Sequence, residues 1–162
     1  MRNGYAICDP ESLAAIGDYL EGVGADERDA LRALLRIGLH WDAEVTDGEA
    51  PRRPTVSQAF CSALPVAYTP VPSADWRPFA ELVLEAAYEA TLWAAVLNAK
   101  RGVSNVVLLT RLGGGAFGNA DAWIDAAMAG ALAKVKAFDL DVRLVSFGAS
   151  PPSMLALEAA FR

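Results

Sequence analysis

The chain has 162 residues, 54% of them hydrophobic, with 14 basic against 20 acidic side chains and a net charge of −6. A chain of this length buries roughly 70% of its unfolded surface, so one domain spanning residues 1–162 is the expectation. The acidic balance (pI ≈ 4.7) excludes a general attraction to phosphate backbones, and no nucleic-acid partner is expected.

Residues 1–10 hold no apolar run long enough for a signal peptide, and this predicts a cytoplasmic protein. Residues 79–97 form the longest apolar stretch, but Glu81, Glu85 and Glu89 interrupt it at a cost no bilayer core tolerates, so no membrane partner is expected. Cys8 and Cys61 stand far apart with no histidine cluster nearby, which predicts neither a disulfide nor a metal site, and no cofactor is implied.

In chain order, residues 11–20 predict a first helix, with Asp9 or Ser12 at its start, and residues 26–39 a second. On the second, Arg28, Arg32 and Arg36 recur every four residues and read as a solvated basic stripe. Residues 40–46 alternate loosely as a short strand, and 47–54 form a loop. Residues 58–68 have strand character that Pro65 confines to an edge, a bulge or an early end. After a Pro-rich turn, Ser73 or Asp75 caps the clearest helix. Its predicted wet side carries Arg77, Glu81, Glu85 and Glu89, and its core side Phe79, Leu82, Val83, Ala86, Ala90, Trp93 and Leu97. Residues 105–112 form a near-continuous apolar run, as in a strand buried on both faces.

Gly113, Gly114, Gly115, Ala116, Phe117, Gly118 and Asn119 come next. Asn119 is placed to cap a further helix, whose core side would be Trp123, Ile124, Ala127, Met128, Ala131, Leu132 and Val135. Residues 141–147 predict a last strand, and the tail turns at Pro151 and Pro152 into a short helix. The order of elements predicts an α/β domain, with a mostly parallel sheet between helices in three layers. Residues 1–39 would be a helical N-terminal segment, 40–148 the α/β core and 149–162 a tail.

A glycine-rich turn between a strand and a helix exposes main-chain N–H groups at the helix's positive end, where phosphate groups bind. A P-loop would need Gly-Lys-Ser/Thr, but Gly118 is followed by Asn119. Gly113, Gly115 and Gly118 match a dinucleotide fingerprint in spacing. The acid of that fingerprint belongs at the far end of the next strand, whereas Asp139 and Asp141 precede it.

The Gly-Ala-Phe-Gly-Asn stretch at 115–119 resembles the second ligand loop of macrodomains, above all the poly(ADP-ribose) glycohydrolase-like branch. The likeness extends to residues 57–68, 85–91 and 142–148, and is similar to the C-terminal half of macrodomain-like proteins that include bacterial effectors removing ADP-ribose from ubiquitin. The resemblance implies a shortened macrodomain-like fold that binds ADP-ribose, or an ADP-ribosylated protein, and hydrolyses ADP-ribosyl bonds. Residues 113–118 would wrap the diphosphate and Phe117 would pack on the distal ribose. Phe147, at the carboxyl end of the last strand, would stack on adenine.

The early Asn-rich loop of macrodomains and the Gln-Glu-Glu run of the glycohydrolase branch do not occur in this sequence. Any catalytic acids must therefore lie elsewhere. Asp42 and Glu44 would share one side of a strand with His40, an arrangement suited to stabilising positive charge at a ribose carbon. Two alternatives stay open: a non-catalytic ADP-ribose reader, and a protein-interaction module whose glycine turn is structural. A shortened sheet would leave an exposed edge, which makes a homodimer an expectation.

Overall fold

The computed structural model describes residue 1 and residues 3–47 and 53–161. The elements are α1 (Pro10–Gly22), α2 (Ala25–Leu34), β1 (Gly38–Glu44), β2 (Thr55–Phe60), α3 (Ser73–Lys100), β3 (Val106–Thr110), α4 (Asp121–Val135), β4 (Asp141–Val145) and α5 (Pro152–Ala160), with 3-10 turns at Val66–Tyr68 and Gly115–Phe117. The predicted loop at 47–54 lies largely outside the described residues.

The class is α/β, but the single, mostly parallel sheet is replaced by two separate pairs. β1 and β2 form an antiparallel hairpin; β3 and β4 pair in parallel, from Val106 opposite Asp141 to Thr110 opposite Val145. No hydrogen-bonded ladder joins β2 to β3, although the helix α3 connects them in sequence.

Asp9 caps α1 by accepting the Ser12 N–H at 2.7 Å, which lowers the Asp9 pKa because the hydrogen bond favours the carboxylate. α2 stops at Leu34, short of the predicted end, so Arg36 lies beyond it. Arg28 and Arg32 are half-buried, and both bind Glu85 on α3 at 2.9 Å. Arg32 also reaches Glu89 at 3.4 Å, and Lys134 of α4 meets the same carboxylate at 2.7 Å. The basic stripe and the two glutamates thus face each other across a helix interface. Neither side is the freely solvated face that the spacing suggests.

α3 is the hub, with α1, α2, α4 and β3 all packed on it. Trp76, Ala80, Leu84, Ala87, Tyr88, Leu92 and Val96 are buried, while Trp93 and Leu97 of the predicted core side are exposed. A single 3.6-residue stripe is a poor guide to a helix with neighbours on several sides. α4 has one simple inner face, and all seven of its predicted core residues are buried.

Val107 and Leu109 of β3 belong to the core, with Val142 and Leu144 of β4 packed against it. Val106, Leu108 and Val145 on the opposite face are exposed. The strand predicted to be buried on both faces is covered on one, because α3 and α4 contribute to the core on that side only.

Candidate functional site

The parallel pairing of β3 and β4 brings their carboxyl ends to one edge of the small sheet. The glycine turn follows the first and Phe147 the second. Phe147 is fully exposed, and Gly148 beyond it takes a positive φ of 84°.

Tyr88 positions the start of the turn. Its hydroxyl donates to the Thr110 carbonyl at 2.9 Å and accepts the Leu112 N–H at 2.6 Å. Arg111, between them, is held by Asp125 and by Asp121. Burial pushes the Tyr88 phenol up to about 12, above its ordinary value of 10, so stability is full below pH 10 and lost progressively as pH rises toward 12. At about 1.4 kcal/mol per unit, the expected loss is about 2 to 3 kcal/mol. Denaturation of wild type and Tyr88→Phe across pH 9 to about 12 checks it: the wild type should lose this increment, and the phenylalanine variant should lack it.

The turn closes on itself through Asn119, not through a helix cap. The Asn119 N–H donates to the Gly113 carbonyl at 3.0 Å. Its side-chain amide donates to the same carbonyl at 3.0 Å and to Leu64 O at 2.8 Å. The N-cap of α4 is Ala120, without a side-chain bond, and Asn119 is buried against the 63–68 segment instead. The missed signal is that segment itself, whose early exit from the strand after Phe60 brings Leu64 beneath the turn.

The glycines divide by role. A Cβ on Gly113 would lie 2.3 Å from the Ala63 Cβ, and one on Gly118 2.7 Å from the Ala67 Cβ. Both have positive φ and let the turn seat closely on this segment. A Cβ on Gly114 would face Ile124 at an ordinary 3.7 Å, whereas one on Gly115 would enter open space. The amides of Gly114, Gly115 and Ala116 take no part in the ring that Asn119 closes, and Gly115 and Ala116 are exposed. Phe117 is half-buried and packs edge-to-face with Tyr68 and Tyr5, at centroid distances of 5.4 and 6.1 Å.

His40, Asp42 and Glu44 do not form the expected constellation. Ser57 faces both Trp41 and Asp42 across the ladder, since His40 pairs with Gln58 and Ala43 with Val56. This is a bulge, and Asp42 takes φ +53° within it, with its N–H donating to Ser57 Oγ at 3.2 Å. The extra residue inverts the alternation, so Glu44 lies on the opposite face from His40. Asp42 is paired with Arg101, which also stacks over Trp41 at 4.8 Å, and Glu44 binds Arg53 at 3.4 Å.

Arg101 ends α3 and precedes β3, which puts Asp42 at the amino end of β3 and the glycine turn at its carboxyl end. One strand length, about 15 Å, separates the two.

A cavity of about 630 Å³ lies between β4, α5 and the end of α4, and another of about 610 Å³ lies between β2 and β3 over α3. Leu112 touches the second, and the glycines line neither. Among the described residues no group of His, Cys, Asp or Glu is arranged to hold a metal ion, and no helix is long and apolar enough to cross a membrane. Comparison with protein-family models, with curated proteins and with solved structures gives no match.

Proposed function

We propose that this protein binds ADP-ribose, or a related nucleotide diphosphate, at the carboxyl edge of β3 and β4. The observation that carries the reading is the convergence of two unlike groups at that edge: a glycine turn whose residues 115 and 116 are exposed and whose amides at 114–116 stay out of the ring that Asn119 closes, and a fully exposed aromatic ring. Ligands of parallel sheets sit outside the carboxyl ends of the strands, where amides receive phosphates and a ring receives the base. The macrodomain resemblance of residues 115–119 supplies the choice of nucleotide, and ADP-ribosylated protein follows as the larger partner. A shortened, macrodomain-like layering belongs to the same reading.

The proposed role is that of a reader. Asp42 and Glu44 are each neutralised by an arginine, and a strand length lies between Asp42 and the proposed diphosphate site, which favours binding over hydrolysis. The rival reading, an interaction module with a purely structural glycine turn, is favoured by the close seating of Gly113 and Gly118 on Ala63 and Ala67.

Calorimetric titration with ADP-ribose separates the two. One site per chain is expected, with affinity reduced about 5- to 100-fold in Phe147→Ala, the usual range for losing one base–aromatic stack. Phe147 is fully exposed, so this variant leaves the fold intact. Absence of heat at millimolar ADP-ribose, or equal affinity in the variant, removes this reading in favour of the interaction module.

A further inference from the structure

β2 is hydrogen-bonded on one side to β1, and β3 on one side to β4. Their other edges flank the same cavity of about 610 Å³, which every residue of Thr55–Phe60 and of Val106–Thr110 lines. A strand that lines a cavity with consecutive residues presents its backbone edge, since one face would contribute only alternate positions. The floor is the small-residue side of α3: Thr91, Ala94, Ala95 and Asn98.

The flanking strands run the same way. Ala63, just past β2, abuts Gly113 past β3, while Asp42 of the hairpin meets Arg101 at the entry to β3. One inserted strand can therefore pair with both edges in a single direction. The hairpin is poorly supported as it stands: in β2 only Ser57 is even half-buried, and Val56 and Phe60 are exposed. Isolated two-stranded hairpins are marginal in water, and unprotected apolar edges pair with other chains.

We propose that this slot receives an extended, uncharged segment of a separate polypeptide, five to six residues long, which joins the two pairs into one five-stranded sheet. The length is that of the two strands it must match. No described strand of a second copy supplies the segment: the slot needs a strand with both edges free, and each of β1 to β4 already has one edge occupied.

Charge selects further. Among the described residues the one charged group lining the slot, Asp42, is already bound to Arg101, so a charge on the inserted segment would be desolvated without a partner. Main-chain bonds would give affinity, and alternate side chains resting on Ala94 and Ala95 would give selectivity.

The test is selection from a displayed library of random seven-residue peptides on the full chain, followed by hydrogen exchange with the recovered peptide made synthetically. Uncharged peptides are expected, slowing exchange of amides in Thr55–Phe60 and Val106–Thr110 by about tenfold or more. N-methylation of alternate peptide amides should abolish binding, and this arm needs no variant of the protein. Ala95→Trp, which fills the floor, should weaken binding by about tenfold; since Ala95 also packs against the core, its thermal midpoint is measured alongside, and the N-methylated peptide decides the outcome if the variant is destabilised. Recovery of no peptide, recovery of charged peptides, protection elsewhere, or self-association that the peptide does not disturb would each overturn the proposal.

Discussion

Gly113→Val is expected to cost about 2 to 5 kcal/mol, a large part of the roughly 5 to 15 kcal/mol that holds a domain together. Two effects add. The φ of +82° places a β-branched side chain in the left-handed region, at about 1 to 2 kcal/mol. Its Cβ would also fall 2.3 Å from the Ala63 Cβ and 2.9 Å from Asn119 Nδ2. Ala63 and Asn119 are both buried, so neither has room to withdraw, and overpacking adds roughly 1 to 3 kcal/mol. Gly115→Ala is the control: at φ +58° with nothing near its Cβ, it should cost only about 1 kcal/mol. Urea denaturation of both variants measures the difference. Equal losses would mean that close seating on residues 63–68 is not what the first glycine is for.

Asn119→Asp is nearly isosteric and is expected to cost about 3 to 5 kcal/mol at neutral pH. The asparagine is buried, and its amide donates to two carbonyl oxygens, Leu64 O and Gly113 O. A carboxylate presents lone pairs to both at a buried position. Protonation restores one donor, so the folded-state carboxyl is raised above its ordinary value near 4, and the deficit should shrink as pH falls through that raised value and level off below about 4. Asn119→Ala removes both side-chain bonds without adding charge and leaves each carbonyl its main-chain donor, Val66 N–H for Leu64 O and the residue-119 N–H for Gly113 O; it should cost roughly 1 to 3 kcal/mol with no such pH dependence. Thermal melts from acid to neutral pH distinguish these outcomes. If both variants melt together across that range, the amide bonds are not what ties the turn to residue 64.

These two residues show where local pattern stops being informative. Asn119 before an acidic first turn has the signature of a helix cap, and only the arrival of Leu64 from a distant segment diverts it. The bulge at Asp42 is equally silent in sequence, because residues 40–44 alternate acceptably and the inversion arises from pairing with Ser57. Glu85 and Glu89 have the spacing of a wet stripe. They become half-buried because α2 brings Arg28 and Arg32 over them.

Where one local preference acts alone, the sequence was sufficient. Asp9 caps α1, seven apolar residues at helical spacing define the inner face of α4, and four glycines mark the turn after β3. By itself the sequence determined the class, the order of most elements and the position of the glycine turn, since periodicity, capping and glycine act within a few residues. The tertiary structure decided which strands pair, which glycines are packed and which are open, and that the acids and the turn occupy opposite ends of β3. Those outcomes depend on contacts between residues far apart in the chain, such as Ala63 with Gly113 and Asp42 with Arg101, for which no local signal exists.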